Sequence, residues 1–167
     1  MKATQPSPPT HKVLRHLGLF DDPIHDPYHP HLKLSEPAVC SECGAVFHEG
    51  RWQWIAPTAH AQRTRCAACR RIDEKQPAGY VSIEGQFANE HRAELLSIAR
   101  NLEAREKAEH PLQRIMAIDE QDDKVTITTT DIHLARGIGE ALERAYKGEL
   151  NFHYNKDEYR LRVQWQR

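Results

Sequence analysis

The alternation of apolar and polar positions predicts a strand followed by a helix at the start of the C-terminal half. Val81 and Ile83 alternate with polar neighbours, as the residues of a half-buried strand do. Between residues 88 and 110 the apolar residues recur at helical spacing, while the other positions carry interleaved acidic and basic side chains. Pro111 ends this helix. Its apolar stripe is Leu95, Ile98, Ala99 and Leu102.

Two further strands and a second helix follow. Residues 112–118 are predicted to form a strand, although Gln113 and Arg114 interrupt its alternation, and residues 119–123 form an acidic turn. A β-branched strand comes next, and Thr130 or Asp131 then caps a helix. The strand is marked by Val125, Ile127 and Thr129, and the helix by Ile132, Leu134, Ala135, Ile138, Leu142, Ala145 and Tyr146.

The chain is predicted to end in a β-hairpin. Gly148 closes the second helix, and apolar residues then alternate over 150–154 and 159–165 on either side of a turn at 155–157. The resulting order is β-α-β-β-α-β-β, and its first six elements match the ferredoxin-like pattern. We therefore expect an α+β fold in which residues 78–167 form a ferredoxin-like domain with one extra strand.

Residues 1–37 are predicted to be an extended arm that is ordered only where it lies on the folded part or on a partner. Seven prolines break any helix in it: Pro6, Pro8, Pro9, Pro23, Pro27, Pro30 and Pro37. His25, His29 and His31 form a local cluster in this arm. The favoured interpretation is solvated histidines, and a second metal site is the alternative.

Composition limits the functional classes. The formal net charge is −1, so any contact with nucleic acid requires a local basic patch rather than a bulk positive charge. No run approaches the roughly 20 apolar residues of a membrane helix, and the N-terminal residues lack the apolar stretch that is typical of a signal peptide. We expect a cytoplasmic protein without a membrane partner, and cytoplasmic thiols are kept reduced, so paired cysteines point to a metal before a disulfide.

The cysteines form two C-x-x-C pairs. Cys40 and Cys43 make the first, Cys66 and Cys69 the second, and 22 residues lie between the pairs. Each pair makes a tight knuckle that aims two sulfurs at one point, and two knuckles complete the tetrahedron that zinc accepts. The spacing fits a hairpin with arms at 45–54 and 61–64. The sequence predicts a zinc ribbon at residues 38–76 that holds one structural Zn²⁺.

Other uses of these cysteines fit less well. A redox pair needs a low-pKa thiol at a helix N-terminus, and no helix is predicted after either pair. A catalytic zinc keeps an open coordination position, and four thiolates leave none, so a structural site is favoured. The sequence shows no nucleotide-binding loop and no catalytic spacing of Ser, His and Asp or of Cys and His, so we expect no enzyme. His48 and His60 lie inside the ribbon and could replace a cysteine as ligands, although surface histidines are the simpler interpretation.

Basic and aromatic residues on the ribbon are candidate contacts to nucleic acid. Residues 38–72 contain five arginines and only two acidic residues, Glu42 and Glu49. Arginine can donate two parallel hydrogen bonds to a phosphate group and can stack on bases. Two tryptophans nearby could stack on single-stranded bases. The alternative is that the tryptophans form the small core of the ribbon or its contact with the next domain. The candidates are Arg51, Trp52, Trp54, Arg63, Arg65, Arg70 and Arg71.

A second basic cluster lies near the C-terminus, where six basic residues stand against three acidic ones in residues 144–167. Arg160 and Arg162 are predicted to share the strand face opposite Leu161 and Val163. We add both arginines to the candidate nucleic-acid contacts, and a solvated surface is the alternative.

Three segments resemble a family of small bacterial zinc-ribbon proteins over residues 25–167. They are residues 43–52 (CGAVFHEGRW), residues 66–71 (CAACRR) and residues 128–139 (TTTDIHLARGIG). That family is distantly similar to the archaeal and eukaryotic nuclear-export adaptor of the large ribosomal subunit, which carries more zinc knuckles. The similarity to the adaptor is carried by the four cysteines and the helix start at Glu90-His91. The resemblance implies a contact with RNA or the ribosome and implies no reaction.

We therefore predict a non-catalytic zinc-ribbon protein that binds RNA or the ribosome. The alternative is a regulatory adaptor that binds another protein through the ribbon and the N-terminal arm.

Overall fold

The computed structural model describes residues 26–28, 34–155 and 157–167. In these residues the chain forms an α+β structure with two mixed sheets and four helices. The predicted histidine cluster at His25, His29 and His31 lies outside the described residues, as does most of the N-terminal arm. No described helix has both the length and the apolar character needed to cross a membrane. The helices are α1 (Ala67–Glu74), α2 (Gln86–Glu90), α3 (Arg92–Glu109) and α4 (Ile132–Tyr146).

The small sheet has four three-residue strands in the order β3-β2-β1-β4. They are β1 (Ala38–Cys40), β2 (Val46–His48), β3 (Arg51–Gln53) and β4 (Gln62–Thr64). The predicted hairpin between 45–54 and 61–64 is wrong, because β2 pairs with β3 and β4 lies parallel to β1. A two-residue turn with positive φ at Glu49 and Gly50 closes the β2–β3 hairpin within the first predicted arm.

The large sheet has five strands in the order β6-β7-β5-β9-β8. They are β5 (Gly79–Glu84), β6 (Ile115–Glu120), β7 (Lys124–Thr129), β8 (Glu149–Asn155) and β9 (Arg160–Gln166). Strands β5 and β9 are parallel, and the other neighbouring pairs are antiparallel. The predicted order of elements in residues 78–167 is thus present.

The ferredoxin-like arrangement is not confirmed, because of the position of the last strand. The sequence pattern treated this strand as an addition, but β9 lies between β5 and β8 and forms part of the sheet interior. Its inward side chains Leu161, Val163 and Trp165 are fully or almost fully buried, which explains why this strand occupies the middle of the sheet rather than an edge.

Helix α4 lies directly on the sheet. A Cβ atom at Gly139 would come within 2.5 Å of Val163 Cγ1, and one at Gly79 within 2.4 Å of Ala135 Cβ. Glycine at these two positions allows the helix backbone to approach β5 and β9 more closely than any other residue would permit. The helix predicted at 88–110 is divided at His91, which ends α2 and begins α3. Helix α3 packs against α4 through buried Leu95, Leu96 and Ala99.

Asp131 rather than Thr130 caps α4. Its Oδ1 accepts hydrogen bonds from the backbone N–H groups of His133 (2.8 Å) and Leu134 (3.2 Å). Thr130 instead donates its hydroxyl to Leu112 O, 2.6 Å away. Burial is the main factor that raises the pKa of the Asp131 carboxyl above its ordinary value of 3.8.

Replacing Asp131 with alanine is expected to lower the free energy of unfolding by about 0.5–2 kcal/mol, because two N–H groups lose their acceptor. Asparagine keeps an acceptor oxygen and should be better tolerated. The raised folded pKa adds a separate, pH-dependent term to stability, which is fully present below the unfolded pKa and is lost as the pH rises through the folded pKa. Urea unfolding at several pH values should show that this pH dependence is weaker in Asp131→Asn. An identical pH dependence in wild type and variant would contradict the argument.

Part of the N-terminal arm lies on α1. Asp26 Oδ1 forms a buried ion pair with Arg71 Nη2 at 2.5 Å. The Tyr28 ring lies 4.1 Å from the Arg71 guanidinium carbon, and its hydroxyl donates to Glu74 at 2.5 Å. These contacts hold residues 26–28 against the helix that follows the second cysteine pair.

Candidate metal centre and surrounding groove

Four cysteine sulfurs converge beside the small sheet. Cys40 ends β1, Cys43 lies in the following turn, Cys66 caps α1 and Cys69 lies in its first turn. The four Sγ atoms all lie within 4.8 Å of one another, and those of Cys43 and Cys66 are 3.8 Å apart. None of the four is in a disulfide, and Cys40, Cys66 and Cys69 are buried. The group could bind one metal ion.

Local backbone structure aims the sulfurs. Gly44 has a φ of +78°, and its N–H donates to Cys40 O, which folds the first knuckle back on itself. The N–H of Cys66 donates to Cys40 Sγ at 3.3 Å, and the N–H of Cys69 donates to Cys66 Sγ at 3.4 Å. The end of β1 and the start of α1 are thereby joined through sulfur.

The expectation that no helix follows either cysteine pair is wrong, because α1 begins directly after Cys66. This eight-residue helix is short and has few apolar residues, since half of it is Arg70, Arg71, Asp73 and Glu74. The helix does not by itself make Cys66 a reactive thiol. Cys66 is completely buried, and burial raises the pKa of its thiol, whereas a redox nucleophile is exposed and has a lowered pKa.

The other thiols differ in their tendency to ionise. Burial opposes the ionisation of Cys40, but the backbone N–H groups around its sulfur outweigh this effect and lower its pKa to about 6. Burial raises the pKa of the Cys69 thiol, and the hydrogen bond from Arg114 opposes that rise. Without a bound metal, burial therefore favours the protonated thiols of Cys66 and Cys69. A cation at its centre would favour the thiolate form of all four.

Arg114 reaches the sulfurs from the large sheet. Its Nη2 donates to Cys43 Sγ at 3.0 Å and its Nη1 to Cys69 Sγ at 3.4 Å. The Nε donates to Pro111 O at 2.7 Å, and the backbone N–H donates to Thr130 Oγ1 at 2.9 Å. Burial opposes the charge of this guanidinium, but the sulfur contacts outweigh burial and raise the pKa of Arg114. The sequence did not identify Arg114 as a neighbour of the cysteines. The one indication was that Arg114 interrupts the apolar alternation of residues 112–118.

The two predicted tryptophans have different surroundings. Trp52 is half-buried, stacks at a tilt on Phe47 with ring centroids 5.5 Å apart, and packs against the cysteine cluster. Trp54 follows β3 and is 41% exposed, and its Nε1 donates to Lys107 O on α3 at 2.6 Å. Trp52 thus packs in the small core around the cysteines, and Trp54 contacts α3. These are the two contacts named as the alternative to nucleic-acid binding. Stacking of either ring on a base stays a prediction.

Only part of the predicted arginine set comes together. Arg51, Arg65 and Arg70 line a groove of about 740 Å³ between the small sheet and the start of β6, together with Trp52 and His110. Arg63 is exposed on β4 and Arg71 is buried against Asp26, so neither lines this groove. Arg160 and Arg162 lie on the large sheet, on the predicted face opposite buried Leu161 and Val163.

The charges around the groove are partly balanced. Arg65 lies 3.6 Å from a Glu42 oxygen and 3.2 Å from an Asp73 oxygen, and Arg70 lies 4.0 Å from Glu74. Among the described residues, no carboxylate is within ion-pair distance of Arg51, which leaves its charge available to a ligand. His48 and His60 are exposed, and among the described residues the group that could hold a metal ion contains cysteines alone.

Comparisons with models of protein families, with curated proteins and with solved structures gave no match. The resemblance to bacterial zinc-ribbon proteins and to the ribosomal export adaptor therefore stays a hypothesis.

Proposed function

We propose that Cys40, Cys43, Cys66 and Cys69 hold one structural Zn²⁺ in a zinc ribbon. Support comes from the donor chemistry, because four thiolates suit zinc and the cluster found in the described part of the chain includes no carboxylate. A tetrahedron with Zn–S distances near 2.3 Å has edges of about 3.8 Å, and the Cys43 and Cys66 sulfurs are 3.8 Å apart. Four protein ligands leave no position for substrate, so the metal stabilises the fold and performs no reaction.

We further propose that the protein is a non-catalytic, cytoplasmic protein that binds RNA or the ribosome through the groove beside the metal centre. The observation that supports this best is the grouping of Arg51, Arg65 and Arg70 with Trp52 around one concave surface. Arginine binds phosphate oxygens through paired N–H groups, and an adjacent ring offers a surface for a base. The zinc ribbon would hold β3 and α1, and hence Arg51 and Arg70, in a fixed relation.

Replacing Arg51 with glutamate is expected to release the protein from ribosomal particles at low salt. The wild-type protein should sediment with those particles in a sucrose gradient and should leave them as salt rises, because phosphate contacts release counterions. Arg105→Glu is the matched control, since Arg105 is an arginine on α3 whose side chain is 71% exposed. Wild-type protein that stays at the top of the gradient in both salts would contradict ribosome binding.

The second candidate function is an adaptor that binds another protein through the zinc ribbon and the N-terminal arm. The observation that favours it is an exposed apolar pair after β3, Trp54 and Ile55, which are 41% and 42% exposed. An apolar interface predicts binding with weak salt dependence. A pull-down whose captured protein survives high salt and is lost in Ile55→Asp would favour the adaptor over the RNA contact.

A further inference from the structure

One face of the large sheet is polar and open. Helix α4 covers the apolar face, where residues of β5, β9 and β7 are buried. The opposite face is lined by exposed or half-buried polar residues around a shallow depression of about 420 Å³. On the β8 side of this face, Asn151, His153, Arg162 and Gln164 are exposed.

Tyr80 lies at the centre of this open face. Strand β5 is the middle strand of the sheet, and Tyr80 pairs with Thr128 on β7 and with Arg162 on β9. Arg162 in turn pairs with His153 on β8. The four side chains form one row across the sheet, with an aromatic ring at its middle and basic groups toward the β8 edge.

Two arginines lie over the Tyr80 ring in cation–π contacts, so a phosphate chain that passes the ring would meet both cations. The guanidinium carbon of Arg162 lies 4.8 Å from the ring centroid, and that of Arg160 lies 5.7 Å away. Arg160 is paired with Glu158 at 2.8 Å, and its buried Nε has no hydrogen-bond partner in the described residues. Arg162 is exposed and, in that same part of the chain, has no carboxylate within ion-pair distance.

The next row on the same face supplies uncharged hydrogen-bonding groups. Thr126, Ser82, Gln164 and Asn151 stand side by side on β7, β5, β9 and β8. Amide and hydroxyl groups both donate and accept hydrogen bonds, as the edges of unpaired bases require. One row thus offers an aromatic ring and arginines, and the next offers amides and hydroxyls. This combination suits unpaired nucleotides with splayed bases, and it does not suit a duplex, in which the bases are stacked inside.

We propose that this face is a platform for single-stranded RNA, on which one base stacks against Tyr80, Arg160 and Arg162 contact the phosphate chain, and Gln164 and Asn151 contact base edges. The proposal rests on the proposed function for the choice of RNA. It adds a second surface to the groove at the metal centre and gives Tyr80 a role that the sequence did not indicate.

The test is fluorescence anisotropy of a labelled single-stranded oligouridine with the full-length, zinc-loaded protein. Tyr80→Ala is expected to weaken binding by about tenfold or more, the size of one lost base stack, whereas Tyr80→Phe keeps the ring and the affinity. Arg162→Ala is expected to weaken binding and to reduce the slope of log affinity against log salt by about 1. Arg105→Ala removes one exposed arginine from α3 and should leave binding unchanged.

A second measurement on the wild-type protein does not depend on the folding of any variant. Photocrosslinking to oligo-4-thiouridine is expected to label the peptide that contains Tyr80. Labels confined to the groove at Trp52, or equal affinity for duplex RNA, would overturn the platform.

The two proposals fail in distinguishable ways. Loss of binding in Arg51→Glu with full binding in Tyr80→Ala and Arg162→Ala would overturn the platform and leave the groove as the RNA site. Wild-type protein that sediments with ribosomes but does not bind the single strand would also overturn the platform alone. Wild-type protein that binds neither would overturn both.

Discussion

Cys66→Ser is expected to lose the bound metal and to unfold the cysteine-containing part of the chain. Wild-type protein should contain one zinc per chain, and the variant close to none, because a serine hydroxyl is not ionised at neutral pH and is a poor zinc ligand. Cys66 also caps α1 and accepts the N–H of Cys69, so its loss disturbs helix and metal together. Structural zinc sites contribute about 10–16 kcal/mol of apparent binding free energy at neutral pH, so residues 38–76 should unfold without it.

Metal analysis of the purified protein, together with tryptophan fluorescence, measures both effects. Trp52 packs against the cysteine cluster and should report the unfolding of the small sheet. The large sheet has its own buried core and should keep its circular dichroism signal. His48→Ala and His60→Ala are the matched controls and should retain one zinc. A full zinc complement in Cys66→Ser would remove Cys66 from the ligand set.

Arg114→Ala is expected to give the second large effect, a loss of about 3–5 kcal/mol in the free energy of unfolding of the zinc-loaded protein. Four thiolates around one Zn²⁺ carry a net charge of −2, and Arg114 is the buried cation that donates to two of those sulfurs. Its removal leaves this charge without a partner in a buried site. Outer-shell hydrogen bonds of this kind also affect metal affinity, so zinc should bind about 10–100-fold more weakly.

The conservative variant tests whether geometry matters as well as charge. Arg114→Lys keeps the positive charge but cannot contact Cys43 and Cys69 with a planar fork, so it should recover only part of the loss. Urea unfolding and zinc competition with a chelator measure the two quantities. Arg105→Ala, on the surface of α3, should change stability by less than about 0.5 kcal/mol. Unchanged zinc affinity and stability in Arg114→Ala would show that the sulfur contacts contribute nothing.

Arg114 also explains how the metal centre and the large sheet are joined. The residue lies just before β6, where Thr130 accepts its backbone N–H, and its side chain ends on the sulfurs. Trp54 makes a second link through Lys107 O on α3. Loss of the metal should therefore disturb the structure at the start of β6. In the proposed function, this coupling keeps the groove arginines in a fixed position relative to the large sheet.

The local patterns determined much of this structure. Period-two alternation located β5, β7, β8 and β9, and helical spacing located α3 and α4, because one buried face per element leaves a regular trace in the sequence. The strand predicted at 112–118 is β6 at Ile115–Glu120, so it begins later and extends into the predicted acidic turn, and none of its residues is buried. The two C-x-x-C pairs indicated the cluster of four cysteines that could bind a metal ion, because the spacing of each pair brings its two sulfurs to one point.

Long-range pairing was decided only by the tertiary structure. The sequence does not show that β9 enters between β5 and β8, or that β4 pairs with β1, since strand pairing depends on contacts between distant residues. Helix α1 was missed because it is only eight residues long and half of these are charged. Its first three residues, Ala67 to Cys69, belong to the second cysteine pair and were interpreted as a knuckle. Arg114 stands 45 residues beyond Cys69 in the sequence, and only folding brings its charge to the sulfurs. The position of Tyr80 between Arg162 and Thr128 likewise follows from strand order and not from any local motif.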